Sequence, residues 1–512
     1  MKVGIYNRWL STMGGGEKHS MAVAKCIANS HSVVVMTHVP VSKEILSERL
    51  GLDLSGVEFQ VIPEQSPLEL SKLTQRYDLF INASHMDYIL PQASRSVMMV
   101  YFPTPTERNL AIRIKRWIGL QLKKLLMVPT FDGTFGIEFA HGVPIWRLGQ
   151  HVQIEIPRSW HQYELSFELA SNDPFVRKAA LFVDESFFGE VALPENGGFV
   201  PCRINLTGMR PHRLTIKPQP EGRENRSSSQ LLLTRFELKH PLYRLYQLLF
   251  EHWFTEWGLR LRGIPPWTVL EVVNKYDAIW AISKFTQKWI KKYWGCHSAV
   301  LYPPVDIERF KPGQKRNQIL SVGRFFAGSH NKKQLEMVQA FREMVDEGLV
   351  GWELHLAGGT TPERIHQEYL QRVKSLAEGY PIVIHTDLPF EQLVQLYAES
   401  AIYWHAAGLD EDENREPIKL EHFGVTTVEA MAAGCVPVVI GKGGQVEIVR
   451  HGYNGFLWHS LKELIEFTWH LIRNPGLRQR MADSAIIEAS KYDENHFRQR
   501  LKDLLWQLGV EI

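Results

Sequence analysis

The segment from Glu421 to Pro437 reads Glu-His-Phe-Gly-Val-Thr-Thr-Val-Glu-Ala-Met-Ala-Ala-Gly-Cys-Val-Pro and sets two carboxylates, Glu421 and Glu429, eight positions apart. On one continuous helix they would lie about 80° apart and two turns distant, at ~100° per residue. Gly424 interrupts that continuity. Glu421 is then expected on a loop, with a helix opening at Val425 and carrying Glu429. The first N–H groups of such a helix, those of Val425, Thr426 and Thr427, have no intrahelical acceptor, and the helix dipole adds to their attraction for an anion. One carboxylate can reach sugar hydroxyls and the other a ribose, with a diphosphate between them. Taken alone, the glutamate pair reads equally as a solvated residue and a helix with an Ala-rich buried face. Combined with Gly424, Gly434 and Pro437 ahead of a Val-Val-Ile run, it is specific.

A departing nucleoside diphosphate accumulates negative charge, and fixed cations at its phosphates stabilise that charge. Arg324 directly follows the apolar run Ile319–Val322, at a strand end of the kind where doubly wound sheets hold ligands. Lys332 and Lys333 are two adjacent cations further along, competitors for any one position, and a surface lysine at a helix start is their plain reading. Near the N-terminus, Gly14, Gly15 and Gly16 suggest a loop whose N–H groups approach a sugar or phosphate. An ordinary glycine turn fits as well. A dinucleotide fingerprint would begin directly at the strand end. Here Asn7–Met13 intervene, which excludes a dehydrogenase. Asp410-Glu-Asp412 has the spacing of a metal-binding pair of aspartates, but within the acidic run Asp410–Glu416 it reads as a solvated loop.

The elements that must position these groups are legible in outline. The chain has 512 residues, more than one core at roughly 100–200 residues per domain. Hydrophobic residues make up 44% and charged residues 22%, an ordinary globular balance. The net charge of +2 gives no case for nucleic acid as a partner. The four cysteines, Cys26, Cys202, Cys296 and Cys435, are scattered and form no CxxC pair, which argues against a disulfide framework or zinc site and for a reducing compartment. No signal-like leader and no apolar run of ~18–20 residues is seen, so a cytoplasmic protein, soluble or peripheral at the inner face of a membrane, is expected.

Short apolar runs alternate with helical stretches over residues 1–132, as in a parallel sheet covered on both faces. From 133 to 237 the hydrophobic period switches to two, and turn clusters such as Pro194–Gly198 separate the runs, which predicts an inserted β-sandwich. The first domain resumes over 238–305, with a strand at Ala278–Ile282 and a helix at Lys284–Trp294. A second α/β series fills 306–490, and 491–512 forms a C-terminal helix that can return to the first domain. Two segments could touch a membrane: Arg108–Lys124, basic and amphipathic, and Leu242–Trp257, rich in aromatics. Packing onto the sheet or the insert explains them equally well. Trp146 and Trp160 of the insert are candidates for stacking on sugar faces.

These residues resemble the large retaining glycosyltransferase family four, of the GT-B fold. Its E-x7-E motif matches Glu421 and Glu429. Further matches are Val322-Gly-Arg324, Asn331-Lys332-Lys333, Leu356-Ala-Gly-Gly359, His405-Ala-Ala-Gly408 and Gly443-Gly444-Gln-Val-Glu447. Gly14-Gly15-Gly16-Glu17, Ser283-Lys-Phe-Thr286 and Tyr302-Pro-Pro-Val-Asp306 complete the set, and residues 133–237 lie outside it. The resemblance implies two Rossmann-like domains, with Arg324 and Lys332 as the phosphate cations and Glu421 at the sugar. It places Gly15, Gly16, Gly424, Val425, Thr426 and Glu429 around the donor. On the acceptor side many relatives have a His before a Tyr-Pro or Phe-Pro pair. Here Tyr101 takes that place in Val-Tyr-Phe-Pro, with His85 as the candidate substitute.

The expected activity is transfer of a hexose, with a tilt to mannose, from a GDP- or UDP-sugar to a glycan or lipid-linked acceptor, with retention and without a metal or other cofactor. A non-catalytic glycan-binding protein on this scaffold and a sugar-nucleotide epimerase are the rivals.

Overall fold

The computed structural model describes residues 1–62, 67–105, 110–126, 128–140, 143–156, 164–171, 173, 176–206, 213–220, 231–249, 267–328, 331–361 and 363–512. Five short strands open the chain: β1 (Lys2–Tyr6), β2 (Ser32–Thr37), β3 (Val57–Val61), β4 (Leu79–Asn82) and β5 (Arg95–Val100). Most of their residues are buried, as a parallel sheet covered on both faces requires. Eight antiparallel strands follow: β6 (Thr130–Ala140), β7 (Val143–Glu155), β8 (Glu164–Ser171), β9 (Val176–Val183), β10 (Ser186–Ala192), β11 (Val200–Asn205), β12 (Arg213–Pro220) and β13 (Leu231–Leu238). The chain then returns with β14 (Ala278–Ala281) and β15 (Ala299–Val300) to complete a parallel sheet of order β15-β14-β5-β4-β1-β2-β3. Chain order runs outward in both directions from the β1–β4 pair, so the ligand crevice of this sheet opens beyond the C-terminal ends of those strands.

The inserted strands are hydrogen-bonded as one ladder that divides at β7. Along one edge β7 pairs with β6 over most of its length; along the other, Val152–Glu155 pairs with β12 and Ile145–Leu148 with β13. The arm β12-β9-β10 and the arm β13-β8-β11 therefore part company there. Leu181, Val183, Leu214 and Ile216 of one arm and Leu165, Phe167, Leu169 and Leu233 of the other meet in a single core, so the two arms form the layers of a sandwich. Its first strand starts at Thr130, ahead of the Gly133 boundary. Trp146, offered above as a sugar-stacking residue, is instead 3% exposed and stacks on Phe131 within this core. Trp160, the polar segment Glu221–Ser229 and residues 250–266 lie outside the described residues.

The second parallel sheet contains β16 (Arg316–Val322), β17 (Glu353–Gly358), β18 (Ile382–Thr386), β19 (Ser400–His405), β20 (Val436–Ile440) and β21 (Phe456–Trp458), in the order β18-β17-β16-β19-β20-β21. Its switch point lies between β16 and β19, which places the residues after Val322 and after His405 at the crevice. The last helix, Glu494–Trp506, crosses back: Phe497, Leu501, Leu504 and Leu505 are buried with Val3, Ile5 and Ile27 of the first sheet, and Glu494 pairs with Lys25 at 2.8 Å.

Candidate functional site

The helix Val425–Ala432 begins where Gly424 turns the chain with φ of 121°; a Cβ there would stand 2.8 Å from the Gln445 side chain. Conformation and space both demand glycine. The Gly424 carbonyl accepts the N–H of Thr427 at 3.0 Å and of Val428 at 3.2 Å. Thr427, expected to offer a free donor, is therefore already engaged by a tightened first turn. The N–H groups of Val425 and Thr426 are the pair left without an intrahelical acceptor. The Thr426 hydroxyl accepts from Tyr403 at 2.8 Å, which fixes that side chain at the helix entrance.

Glu421 lies on the loop before this helix. Its carboxylate receives Lys332 Nζ at 2.5 Å and His405 Nε2 at 3.1 Å. Burial would raise its pKa, but Lys332 and His405 outweigh that and hold it well below the usual carboxylate range. His405, at the end of β19, is 2% exposed; burial lowers its pKa against the pull of Glu421, so it stays neutral at pH 7 and donates from Nε2. Its Nδ1 has no hydrogen-bond partner among the described residues. The motif His405-Ala-Ala-Gly408 was visible in the sequence, but nothing local told that its imidazole would meet Glu421.

The competition between the two lysines has a geometric answer. Asn331 Oδ1 takes the Lys333 N–H, Lys333 adopts φ of 60°, and the turn sends the two side chains apart. Lys332 reaches Glu421, whereas Lys333 lies 3.5 Å from Glu411. Glu411 also binds Lys419 at 3.1 Å and is a part-buried ion-pair node, while Asp410 and Asp412 on either side of it are exposed, as expected of a solvated loop. Asp412 accepts the Asn414 N–H. No cluster of three or more potential metal ligands occurs among the described residues.

Arg324 is exposed at the mouth of the second sheet. Gln334 Nε2 donates to the carbonyls of Gly323 and Arg324, at 3.1 Å each, and so pins the backbone that carries the guanidinium. Gly358 permits this loop: a Cβ there would fall 2.0 Å from the Gly323 carbonyl oxygen. Glu429 lies on the helix, accepts from Tyr397 at 2.9 Å, and has its pKa raised by burial, with Lys18 of the first domain lowering it in part. The helix Gly15–Ala28 carries Lys18, so Gly15 and Gly16 sit on the facing wall. Tyr101 donates to the Gly16 carbonyl at 2.7 Å and holds the glycine loop in place; burial, with Glu17 nearby, raises its pKa far above the usual tyrosine range. His85 lies beside the Arg8–Asp87 ion pair (2.7 Å), and its carbonyl accepts from Trp9.

The two domains are joined by motifs whose roles the sequence left open. Glu447 accepts the N–H groups of Lys284 and Phe285, at 2.9 and 2.6 Å, and the Tyr302 hydroxyl at 2.7 Å. A carboxylate of the second domain thus caps a helix of the first. Ser283 donates to the His422 carbonyl at 2.6 Å, and Phe102 stacks on His422 with ring centroids 4.5 Å apart. These contacts bring Glu421, Glu429, Lys332 and Arg324 to one side of a cleft and the glycine loop to the other.

Residues 305–487 match the family model for glycosyl transferases group 1. This part of the chain, the second parallel sheet and its helices, is similar to glycosyl transferases of group 1. Its described side chains include every residue of the Glu421 cluster. A protein of Dictyostelium discoideum named GDP-Man:Man(3)GlcNAc(2)-PP-Dol alpha-1,2-mannosyltransferase is 26% identical over 236 residues, 43% of this chain and 44% of that protein. One of the same name in Caenorhabditis elegans is 28% identical over 215 residues, 38% and 43% of the two chains. Each match spans less than half the length of the relative. Among solved structures, Anabaena HepE in complex with UDP superposes with TM-score 0.55 at 13% identity, over 99% of this chain and 100% of that one. Sucrose-phosphate synthase of Thermosynechococcus elongatus gives TM-score 0.52 at 10% identity, over 99% of both. The fold is GT-B, two Rossmann-like domains flanking the cleft, with the sandwich inserted in the first.

Proposed function

We propose that the protein is a retaining glycosyltransferase that moves mannose from GDP-mannose to a glycan carried on a lipid. The observation that supports this most is the cluster of Lys332, Glu421 and His405 beside the open start of the helix Val425–Ala432, with the exposed Arg324 at the same mouth. In this reading Arg324, Lys332 and the N–H groups of Val425 and Thr426 would hold the two phosphates, and Glu421 would accept from hydroxyls of the sugar. Glu429, on the helix that follows, is assigned to the ribose.

In this reading the acceptor oxygen bonds to C1 of the sugar on the face from which the diphosphate oxygen departs. The acceptor proton passes to the leaving phosphate oxygen, whose charge the two cations and the helix start hold in place. These groups supply the neutralisation a metal would otherwise give, and activity is expected to survive EDTA. The names of the relatives favour a GDP-linked mannose and a lipid-linked glycan. Calorimetry with GDP and with UDP tests the donor base, and NMR of the product of GDP-mannose tests the anomeric outcome. Tighter binding of UDP would move the donor to a UDP-hexose. Conversion of the donor with no acceptor-dependent product would favour an epimerase, and binding of glycan without turnover a lectin-like protein.

A further inference from the structure

The helix Leu110–Leu125 begins ten residues after β5 ends. Leu122 and the following Leu126 pack on the sandwich core. The adjoining stripe does not: Ile114, Trp117 and Ile118 are exposed, and so is Leu125, with Trp117 at 63% and Leu125 at 64%. Their spacing of three, four and eleven residues keeps them on one face of a helix. A second segment shares the same support. Tyr243 and Tyr246 of the helix Pro241–Tyr246 are buried in the same core, while Leu245 and Leu248 face outward. Two helical segments that pack on the same core, one before the insert and one after it, thus turn large apolar side chains to solvent.

Charge decides what such a surface fits. The sequence of the first helix, LAIRIKRWIGLQLKKL, carries five Lys and Arg and no acidic residue. The whole chain has a net charge of only +2, so this helix concentrates positive charge that the rest of the protein balances. A protein partner of ordinary composition would not call for that pattern. An interface with anionic lipid does: the apolar stripe enters the boundary between headgroups and acyl chains, the tryptophan lies at headgroup level, and the cations meet lipid phosphates.

We propose that the exposed faces of the helix Leu110–Leu125 and of residues 241–249 form one surface that seats on an anionic lipid bilayer. The surface stands independently of which sugar or nucleotide the cleft takes.

Flotation of the full-length chain with vesicles tests this. Binding is expected to phosphatidylcholine vesicles containing about a third phosphatidylglycerol, with little binding to phosphatidylcholine alone and release at high salt. W117E/I118E is expected to weaken partition about tenfold or more, through lost apolar insertion and added repulsion. Both positions are exposed, so an unchanged thermal midpoint is expected; L245E/L248E on the second segment is an independent variant should the first misfold. Absence of binding to the anionic vesicles, equal binding to neutral ones, or variants that bind as the parent does would each overturn the proposal. So would a dimer of the parent chain that W117E/I118E dissolves, since a second copy would then cover the stripe.

Discussion

Glu421→Gln is the sharpest probe of the cleft, because the substitution keeps shape while removing charge. The carboxylate is 19% exposed and is held ionised by Lys332 and His405. Glutamine offers one acceptor oxygen where the carboxylate offers two, and its amide N–H groups face a lysine or imidazole that themselves donate. A hydrogen bond to a charged group is worth roughly 1.5–3 kcal/mol. If that contact is made to the transferring sugar in the transition state, the turnover number falls by about 10- to 150-fold, at 1.4 kcal/mol per decade. The free diphosphate has its own partners in Arg324, Lys332 and the helix start, so its affinity should not fall by more than about threefold. Acceptor-dependent release of nucleoside diphosphate gives the first quantity and calorimetry with GDP the second. Turnover within twofold of the parent refutes the role at the sugar. A loss of GDP affinity as large as the loss of turnover would assign Glu421 to the phosphates.

Four further outcomes follow from the same geometry. Arg324→Ala and Lys332→Ala are each expected to weaken GDP about tenfold or more by calorimetry, from lost charge-assisted contacts; unchanged affinity in both would put the phosphates elsewhere. Glu447→Ala leaves the Ser283 cap of the helix Lys284–Trp294 in place but removes the carboxylate that accepts its first two N–H groups, together with the Tyr302 bond, and a loss of roughly 0.5–2 kcal/mol in denaturant unfolding is expected. His19 is buried against Tyr101 and Phe497 with its pKa lowered to about 3 by burial. Below the unfolded value of 6.5 the unfolded chain takes up a proton the native state refuses, so stability drops as pH falls, by about 2 kcal/mol at pH 5, and His19→Phe should flatten that slope. Replacement of residues 133–237 by a short Gly/Ser linker is expected to leave GDP binding intact, and a folded protein that no longer binds GDP would place the sandwich in the donor site.

Where local chemistry governs, the sequence is close to the structure. The helices Lys284–Trp294 and Val425–Ala432 and the strand Val436–Ile440 fall where glycine breaks and apolar runs put them. The period-two stretches of the insert also form strands. The pairing of those strands was not legible: β7 divides the ladder because its two ends face different partners, and no alternation of side chains encodes that. The long first strand of the insert, β6, went unread because Gly133 and Gly136 interrupt its apolar period, and their cost is repaid by the whole length of β7. Trp146 looked available for sugar because aromatic content does not say which face of a strand points inward.

The site divides along the same line. Glu421, Glu429 and Gly424 lie within one turn and one helix, so spacing alone arranges them. Lys332 and Lys333 differ by a single left-handed residue, and only the Asn331 turn tells which one reaches Glu421. His405 and Glu447 act through partners 16 and about 160 residues away, beyond any local pattern. If Lys332 takes a phosphate as proposed, its pairing with Glu421 carries a consequence for binding. Lys332 is already paired with Glu421, so an arriving phosphate must share that cation rather than find it idle. Glu421 then regains freedom toward a sugar hydroxyl as the phosphate draws Lys332 away, while neutral His405 keeps the carboxylate oriented from behind. Binding of the diphosphate would in this way ready the residue that meets the sugar, which couples the two halves of the donor through one lysine.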